Sequence, residues 1–217
     1  MAVTHTELEG LCQKFESALL NVDRITTREL FASTHENFTP LQFVEKLVVP
    51  VLARIGSGWE NGSYSLSQVY MSGRICEELV DLILPPDHEN RTRQPKIAIV
   101  TLEDFHVLGK RIVHSTLRAC GFEVLDFGRM ATKELAERVI RDEIKILLIS
   151  VLMLPSALKI KNLRELFQST NTQVNIIVGG APFQFDNQLW QEVHADAVGQ
   201  SAIEAVEIVQ RMIKEVS

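Results

Sequence analysis

Along the first half of the chain, apolar residues recur at the spacing of one helix face. A helix-starting pattern precedes each recurrence. Ser or Thr followed three residues later by Glu or Gln satisfies amide donors that a helix leaves unpaired at its start. Thr4 with Glu7, Thr26 with Glu29, Thr39 with Gln42 and Ser65 with Gln68 predict four such starts. Pro40 follows Thr39 at a first helical position, where its missing N–H costs little. In the fourth run Leu66, Val69, Gly73, Cys76 and Val80 share a face. Four helices with short turns predict an antiparallel bundle.

The pattern changes at a polar, proline-punctuated stretch. It predicts a linker over 85–95, between a helical domain over 1–84 and a second domain over 96–217. Beyond it, short β-branched runs alternate with helix-periodic ones. Strands are predicted over Lys96–Thr101, Phe122–Phe127, Ile146–Leu152, Val174–Val178 and Asp196–Val198, the third being the most apolar and so central. Helices are predicted from Val107 to Cys120, from a cap at Thr132 to Asp142, and from Ser156 to Phe167. Ser201 with Glu204 starts a last one. Five strands alternating with helices define a doubly wound, five-stranded parallel sheet, Rossmann-like or flavodoxin-like.

Composition narrows the function. Of 217 residues, 46% are apolar; 22 basic against 28 acidic side chains give a net charge of −6. That balance excludes nucleic-acid binding by overall charge. No apolar run approaches the roughly 20 residues that span a bilayer, so no membrane partner is expected. Met1–Gly10 carries no charged-then-apolar signal pattern. Cys12, Cys76 and Cys120 offer neither metal spacing nor a disulfide framework. They read as core filler in a reducing cytoplasm. His5, His35, His88, His114 and His194 read as solvated or structural, and Lys110 and Arg111 as a solvated helix face.

Doubly wound sheets bind ligands beyond the carboxyl ends of their strands. Asp104-Phe105-His106-Val107-Leu108-Gly109 follows the first strand. Ser150-Val151-Leu152 and Ser156 lie at the third, and Gly179-Gly180-Ala181 at the fourth. Neither a G-x-G-x-x-G nor a G-x-x-x-x-G-K-[ST] loop is present, so phosphate-cradling readings fall away. Asp104 and His106 can converge in a curled turn. A carboxylate on one ring nitrogen fixes the tautomer and leaves the other as a basic metal ligand. A bare zinc ion wants three or four protein ligands. One oriented histidine suits a metal whose other ligands come from a macrocycle.

With Asp104, His106, Gly109, Ser150, Leu152, Gly179 and Gly180 in this order, the second half resembles the cobalamin-binding domain of corrinoid proteins, with its D-x-H-x-x-G, S-x-L and G-G motifs. The stretch from Pro50 to Gly62, with Trp59, is similar to the end of a helix in the bundle cap of methyltransferase-associated corrinoid proteins. The resemblance implies a cobalamin (corrinoid) cofactor with cobalt held by His106 as lower axial ligand. Asp104 would hydrogen-bond its far nitrogen, and Ser156 would extend that relay. Val107, Leu108, Leu152 and Ala181 would line the site, and Ser150 would meet the buried nucleotide tail. Gly109, Gly179 and Gly180 would leave room for the tail, and Trp59 would contact the upper corrin face. It implies a carrier that does not turn over substrate alone. A methyl-donor methyltransferase would load cobalt, an acceptor methyltransferase using tetrahydrofolate or a thiol would unload it, and a reductive activase would restore it, as in O-demethylase systems.

Two positions depart from the pattern: Glu103 stands where glycine is usual, and Leu154 where threonine is common. A cobalamin-dependent light-sensing regulator is the main rival. It would carry a Glu-His pair after the cap tryptophan, where this chain reads Val69-Tyr70. The cobalamin domain of a mutase and a cofactor-free interaction module are further rivals.

Overall fold

The computed structural model describes residues 5–34, 37–83 and 94–216. Thr4 and most of the 85–95 stretch lie outside them, as do His35 and His88. The chain divides into two compact units. One comprises Met1–Thr92 with Ser115–Phe122, the other Arg93–His114 with Glu123–Ser217.

The first unit holds α1 (His5–Leu20), α2 (Arg24–Thr34), α3 (Pro40–Phe43), a π-helical turn (Val44–Val48), α4 (Val49–Glu60) and α5 (Leu66–Ile83). Helix α1 packs on α2, α4 and α5, and α5 packs on α2 and α4. Because α3, the π turn and α4 run on continuously, the unit is a bundle of four helical rods. Phe15, Phe43, Leu47, Ile55 and Ile75 are fully buried in it. The Phe43 ring stands edge-on to both Phe15 and Phe31. The π turn has a local cause. Pro50 lacks an N–H and its ring would crowd the carbonyl one turn back, so the helix widens before it, with Val49 N–H bonding to Val44 O. The Lys46 carbonyl, which would otherwise accept from position 50, takes the Cys12 thiol at 3.7 Å.

Two predicted starts are seen as expected. Thr39 and Gln42 form a reciprocal capping box with Pro40 in the first turn. Ser65 and Gln68 do the same at α5. Thr26 with Glu29 does not start a helix: α2 begins at Arg24. The Asp23 carboxylate accepts from the N–H groups of Ile25 (3.1 Å) and Thr26 (3.0 Å) and from the Thr26 hydroxyl (2.7 Å). An ionised acceptor at a helix N-terminus outcompetes a hydroxyl three residues further in. Thr39→Ala is expected to cost about 1 kcal/mol, checked by urea denaturation followed by helical circular dichroism.

The second unit is a parallel sheet of β1 (Ile97–Leu102), β2 (Val124–Met130), β3 (Ile146–Ser150), β4 (Asn175–Gly179) and β5 (Ala197–Val198), in the order β2-β1-β3-β4-β5. Its crossovers carry α6 (Leu108–Ala119, of which the residues from Ser115 on are grouped with the first unit), α7 (Thr132–Arg141), α8 (Leu154–Ser169), α9 (Ala181–Phe185) and α10 (Leu189–Glu192). Helix α11 (Ala202–Val216) ends the chain. The most apolar strand, β3, is central as expected. The fourth crossover, where the sequence pattern named no helix, carries two short ones, so six helical segments follow β1 among the described residues. Thr132 does not cap α7. Ala131 holds the cap position without a side-chain bond, and Thr132 is the first helical residue.

Alternation sorts the strand residues. Ala98, Val100 and Leu102, with Leu147, Ile149, Ile176 and Val178, join one core with residues of α7 and α8. By the two-residue period, Thr101, Ser150 and Gly179 point to the opposite face. The register sets them side by side, Thr101 against Ser150 and Ser150 against Gly179. Three small residues thus end three adjacent strands in one row.

Candidate functional site

Residues 103–107 form the turn between β1 and α6. Glu103 opens it with φ +45°, left-handed backbone that a non-glycine residue rarely adopts. This is the physical sense of a glycine at that place, and it shows what the departure requires. Glu103 Oε1 accepts from the Thr132 backbone N–H (3.0 Å) and hydroxyl (2.6 Å). Those bonds hold its carboxyl below the usual range. The Glu103 carbonyl accepts the Ser156 hydroxyl at 2.9 Å. Glu103 therefore supplies from outside the helix the cap that Ala131 cannot give α7.

Asp104 is the anchor. Its Oδ1 meets His106 Nδ1 at 2.7 Å and accepts the His106 backbone N–H at 3.1 Å. Its Oδ2 accepts the N–H groups of Leu152 (2.7 Å) and Met153 (2.9 Å). All four acceptor positions of the carboxylate are filled. Burial alone would raise the Asp104 pKa. The hydrogen bond from His106 and the amides of Leu152, His106 and Met153 outweigh it and hold the carboxyl well below the ordinary carboxylate range. The ionised carboxylate only accepts, so His106 Nδ1 carries the proton and Nε2 keeps its lone pair. The His106 side chain is 56% exposed while that of Asp104 is 1% exposed, so an open ring stands on a buried base.

The relay expected through Ser156 is corrected here. Its hydroxyl is spent on the Glu103 carbonyl, and the second oxygen of Asp104 is held by the two amides instead. The same amides explain why β3 stops at Ser150, two residues short of the predicted Leu152: the chain turns to the carboxylate rather than continuing the ladder.

Around the turn, Ser150, Leu152, Gly179, Gly180 and Ala181 gather with Val107, Leu108 and Gly109 at the carboxyl ends of β1, β3 and β4. A Cβ on Gly109 would stand 3.6 Å from Ser150 Oγ, and one on Gly179 3.0 Å from the Gly199 carbonyl. Gly180 has a different reason from the one expected. At φ +120°, a Cβ there would stand 1.8 Å from the Val151 carbonyl oxygen, so the protein's own backbone excludes a side chain before any ligand does. Phe105, Leu108, Leu152, Met153 and Leu154 are exposed at the same strand ends. The Arg129 guanidinium lies 3.8 Å over the Phe105 ring. Trp59 belongs to the other unit, where it is partly exposed in the last turn of α4.

Lys110 is corrected as well: it is buried, and its ammonium pairs with Asp126 on β2. His114 Nε2 lies 3.2 Å from the Val124 carbonyl, a structural contact. Sequence reasoning missed the Leu152 and Met153 amides, because backbone donors leave no residue-type signal. It flagged Glu103 without its bonds.

A doubly wound domain that raises one oriented imidazole among exposed apolar side chains suits a flat macrocycle held from beneath. Among the described residues no cluster of three His, Cys, Asp or Glu could hold a bare ion. Nor is any helix long and apolar enough to cross a membrane. The chain belongs to the B12-binding family: the B12 binding domain matches residues 95–209, and a second B12 binding domain matches residues 11–84. Within that family it is a methyltransferase-associated corrinoid protein, and cobalamin is its cofactor.

Trimethylamine corrinoid protein 1 of Methanosarcina acetivorans is 30% identical over 94% of this chain and 98% of its own length. Monomethylamine corrinoid protein 1 of Methanosarcina mazei is 29% identical over 81% of this chain and 84% of its own. Among solved structures, a cobalamin-binding protein from Desulfitobacterium hafniense has the same fold, with TM-score 0.75 and 22% identity over 94% of this chain and 97% of that one. Methanosarcina barkeri monomethylamine corrinoid protein aligns with TM-score 0.56 and 25% identity over 94% and 99%.

The residues present fit the cofactor. The donor set is a single imidazole with its Nδ1 already occupied. Gly109, Ser150 and Gly179 stand close together at these strand ends and would leave room for a slim group.

Proposed function

We propose that the protein is a methyl carrier, passing a methyl group between a donor methyltransferase and an acceptor methyltransferase that uses tetrahydrofolate or a thiol. A reductive activase would serve it when cobalt is over-oxidised. The observation that carries this reading is the Asp104–His106 pair, a buried ionised carboxylate holding an exposed imidazole by Nδ1. Bound, the corrinoid supplies a cobalt centre that accepts and releases a methyl group. His106 Nε2 would hold its cobalt. Asp104 keeps the proton on Nδ1 and makes Nε2 the better donor. Leu152 and Met153 fix Asp104 through their amides.

The lining residues are Val107, Leu108, Gly109, Ser150, Leu152, Ser156, Gly179, Gly180 and Ala181. Trp59 would be a further corrin contact, and the parts of the chain would be a helical domain over 1–84, a linker over 85–95 and a cobalamin-binding domain over 96–217. The named relatives, corrinoid proteins of mono- and trimethylamine, make methylated amines the first donors to assay. The cytoplasm is the compartment in which such partners and reductants meet.

The test is spectroscopic. With cobalt(II) cobalamin bound, the paramagnetic spectrum should show nitrogen splitting that changes when the protein is labelled with nitrogen-15. His106→Ala should abolish it. A label-sensitive splitting that survives in the variant removes His106 from the role.

A further inference from the structure

Thr101 closes β1 on the face shared by Ser150 and Gly179. Its side chain is completely buried, and its hydroxyl oxygen has no hydrogen-bond partner. Buried hydroxyls ordinarily find a partner, since leaving one unmade costs stability. The neighbours in the row explain what is missing. Across β3, Ser150 faces Gly109; beyond it on β4, Gly179 has no side chain to offer. The row is therefore small and polar on one side and bare on the other. That arrangement leaves a buried hydroxyl at the end of the sheet that no side chain of the row satisfies.

We propose that Thr101 is a specificity-determining residue whose hydroxyl donates a hydrogen bond to the heterocyclic base of the inserted tail. The inference rests on the reading of the site as a His-ligated corrinoid site. A benzimidazole base released from cobalt exposes a ring nitrogen with a free lone pair, which accepts such a bond. A phenolic base attached through its oxygen has no such nitrogen. Thr101 then makes the site prefer corrinoids with a nitrogen-bearing base. The preference arises because the orphaned hydroxyl is satisfied by one class and stays unsatisfied with the other. The same hydroxyl is a burden to the protein without cofactor.

The experiment compares the full chain with Thr101→Val and Thr101→Ser. It measures the dissociation constants of hydroxocobalamin and of a phenolyl corrinoid, and the melting temperature of the cofactor-free protein. Thr101→Val should weaken hydroxocobalamin binding about tenfold and leave the phenolyl corrinoid within about twofold. It should raise the cofactor-free melting temperature by about 2–4 °C. Thr101→Ser, which keeps the hydroxyl, should retain the preference for hydroxocobalamin.

Equal loss for both corrinoids, or no loss for either, overturns the proposal. So does a lower melting temperature for the valine variant, which would reveal an internal partner for the hydroxyl. Should the unaltered protein bind neither corrinoid, or bind without a histidine nitrogen on cobalt, the failure lies with the corrinoid reading of the site and not with Thr101.

Discussion

Gly180→Ala should unfold the second unit or destabilise it by more than about 4 kcal/mol, although it adds a single methyl group. The residue sits at φ +120° and ψ 176°, a region essentially reserved for glycine. The new Cβ would stand 1.8 Å from the Val151 carbonyl oxygen and 2.9 Å from its carbonyl carbon. Both obstacles are backbone, so no side-chain rotation relieves them. Nor can Val151 retreat freely. Its own N–H bonds to the Gly179 carbonyl at 3.1 Å, and the next two amides are held by Asp104. Gly128→Ala is the control. That glycine also has positive φ, at +68°, but nothing lies within 4 Å of its Cβ position. It should cost only about 1 kcal/mol. Thermal denaturation of the two variants side by side separates conformational strain from collision. Equal, mild destabilisation of both would show that β3 and β4 do not approach at Gly180 as closely as described.

How much of this could be read beforehand follows from the range of each interaction. The row of strands was legible because β-branched runs bounded by glycine and proline are local signals, and the central place of Ile146–Ser150 followed from its apolarity. That Asp104, His106, Ser150 and Gly179 come together was legible too, since strand ends in a doubly wound sheet converge whatever their sequence. Its wiring was not. Leu152 and Met153 act through backbone amides 48 and 49 residues from Asp104. Thr132 acts on Glu103 from 29 residues away. Lys110 looked like a surface residue because Asp126, its partner, comes from the next strand. The start of α2 was misplaced for the opposite reason. Thr26 with Glu29 is a valid local pattern, but Asp23 is a stronger one three residues earlier. Ser156 shows the limit of carrying a motif across: the residue is present, and its hydroxyl is directed to a carbonyl rather than to the carboxylate.

Asp104→Ala should cost about 3–4 kcal/mol and loosen His106 together with the β3–α8 turn. The carboxylate is the common acceptor of three amides and one ring nitrogen. Removing it strands the Leu152 and Met153 donors and frees the imidazole to rotate or change tautomer. Asp104→Asn is the sharper variant. Its one carbonyl oxygen can still accept from two donors, but its amide nitrogen must then face either His106 Nδ1–H or the amides, donor against donor. The pH dependence separates the two effects. The folded protein holds the Asp104 carboxyl below its value in the unfolded chain, near 4. Asp104 therefore stabilises the fold fully above about pH 4, and that stabilisation is lost as pH falls through the depressed folded value. In urea denaturation between neutral pH and about pH 3, the unaltered protein should lose stability more steeply than either variant, and the gap between them should narrow as acid is added. A gap that stays constant with pH would mean that folding does not hold the Asp104 carboxyl below its unfolded value, and a gap that widens in acid would mean that the carboxyl is protonated in the fold. His106 Nδ1 would then face a protonated carboxyl, and Nε2 would lose the charge that makes it a strong ligand.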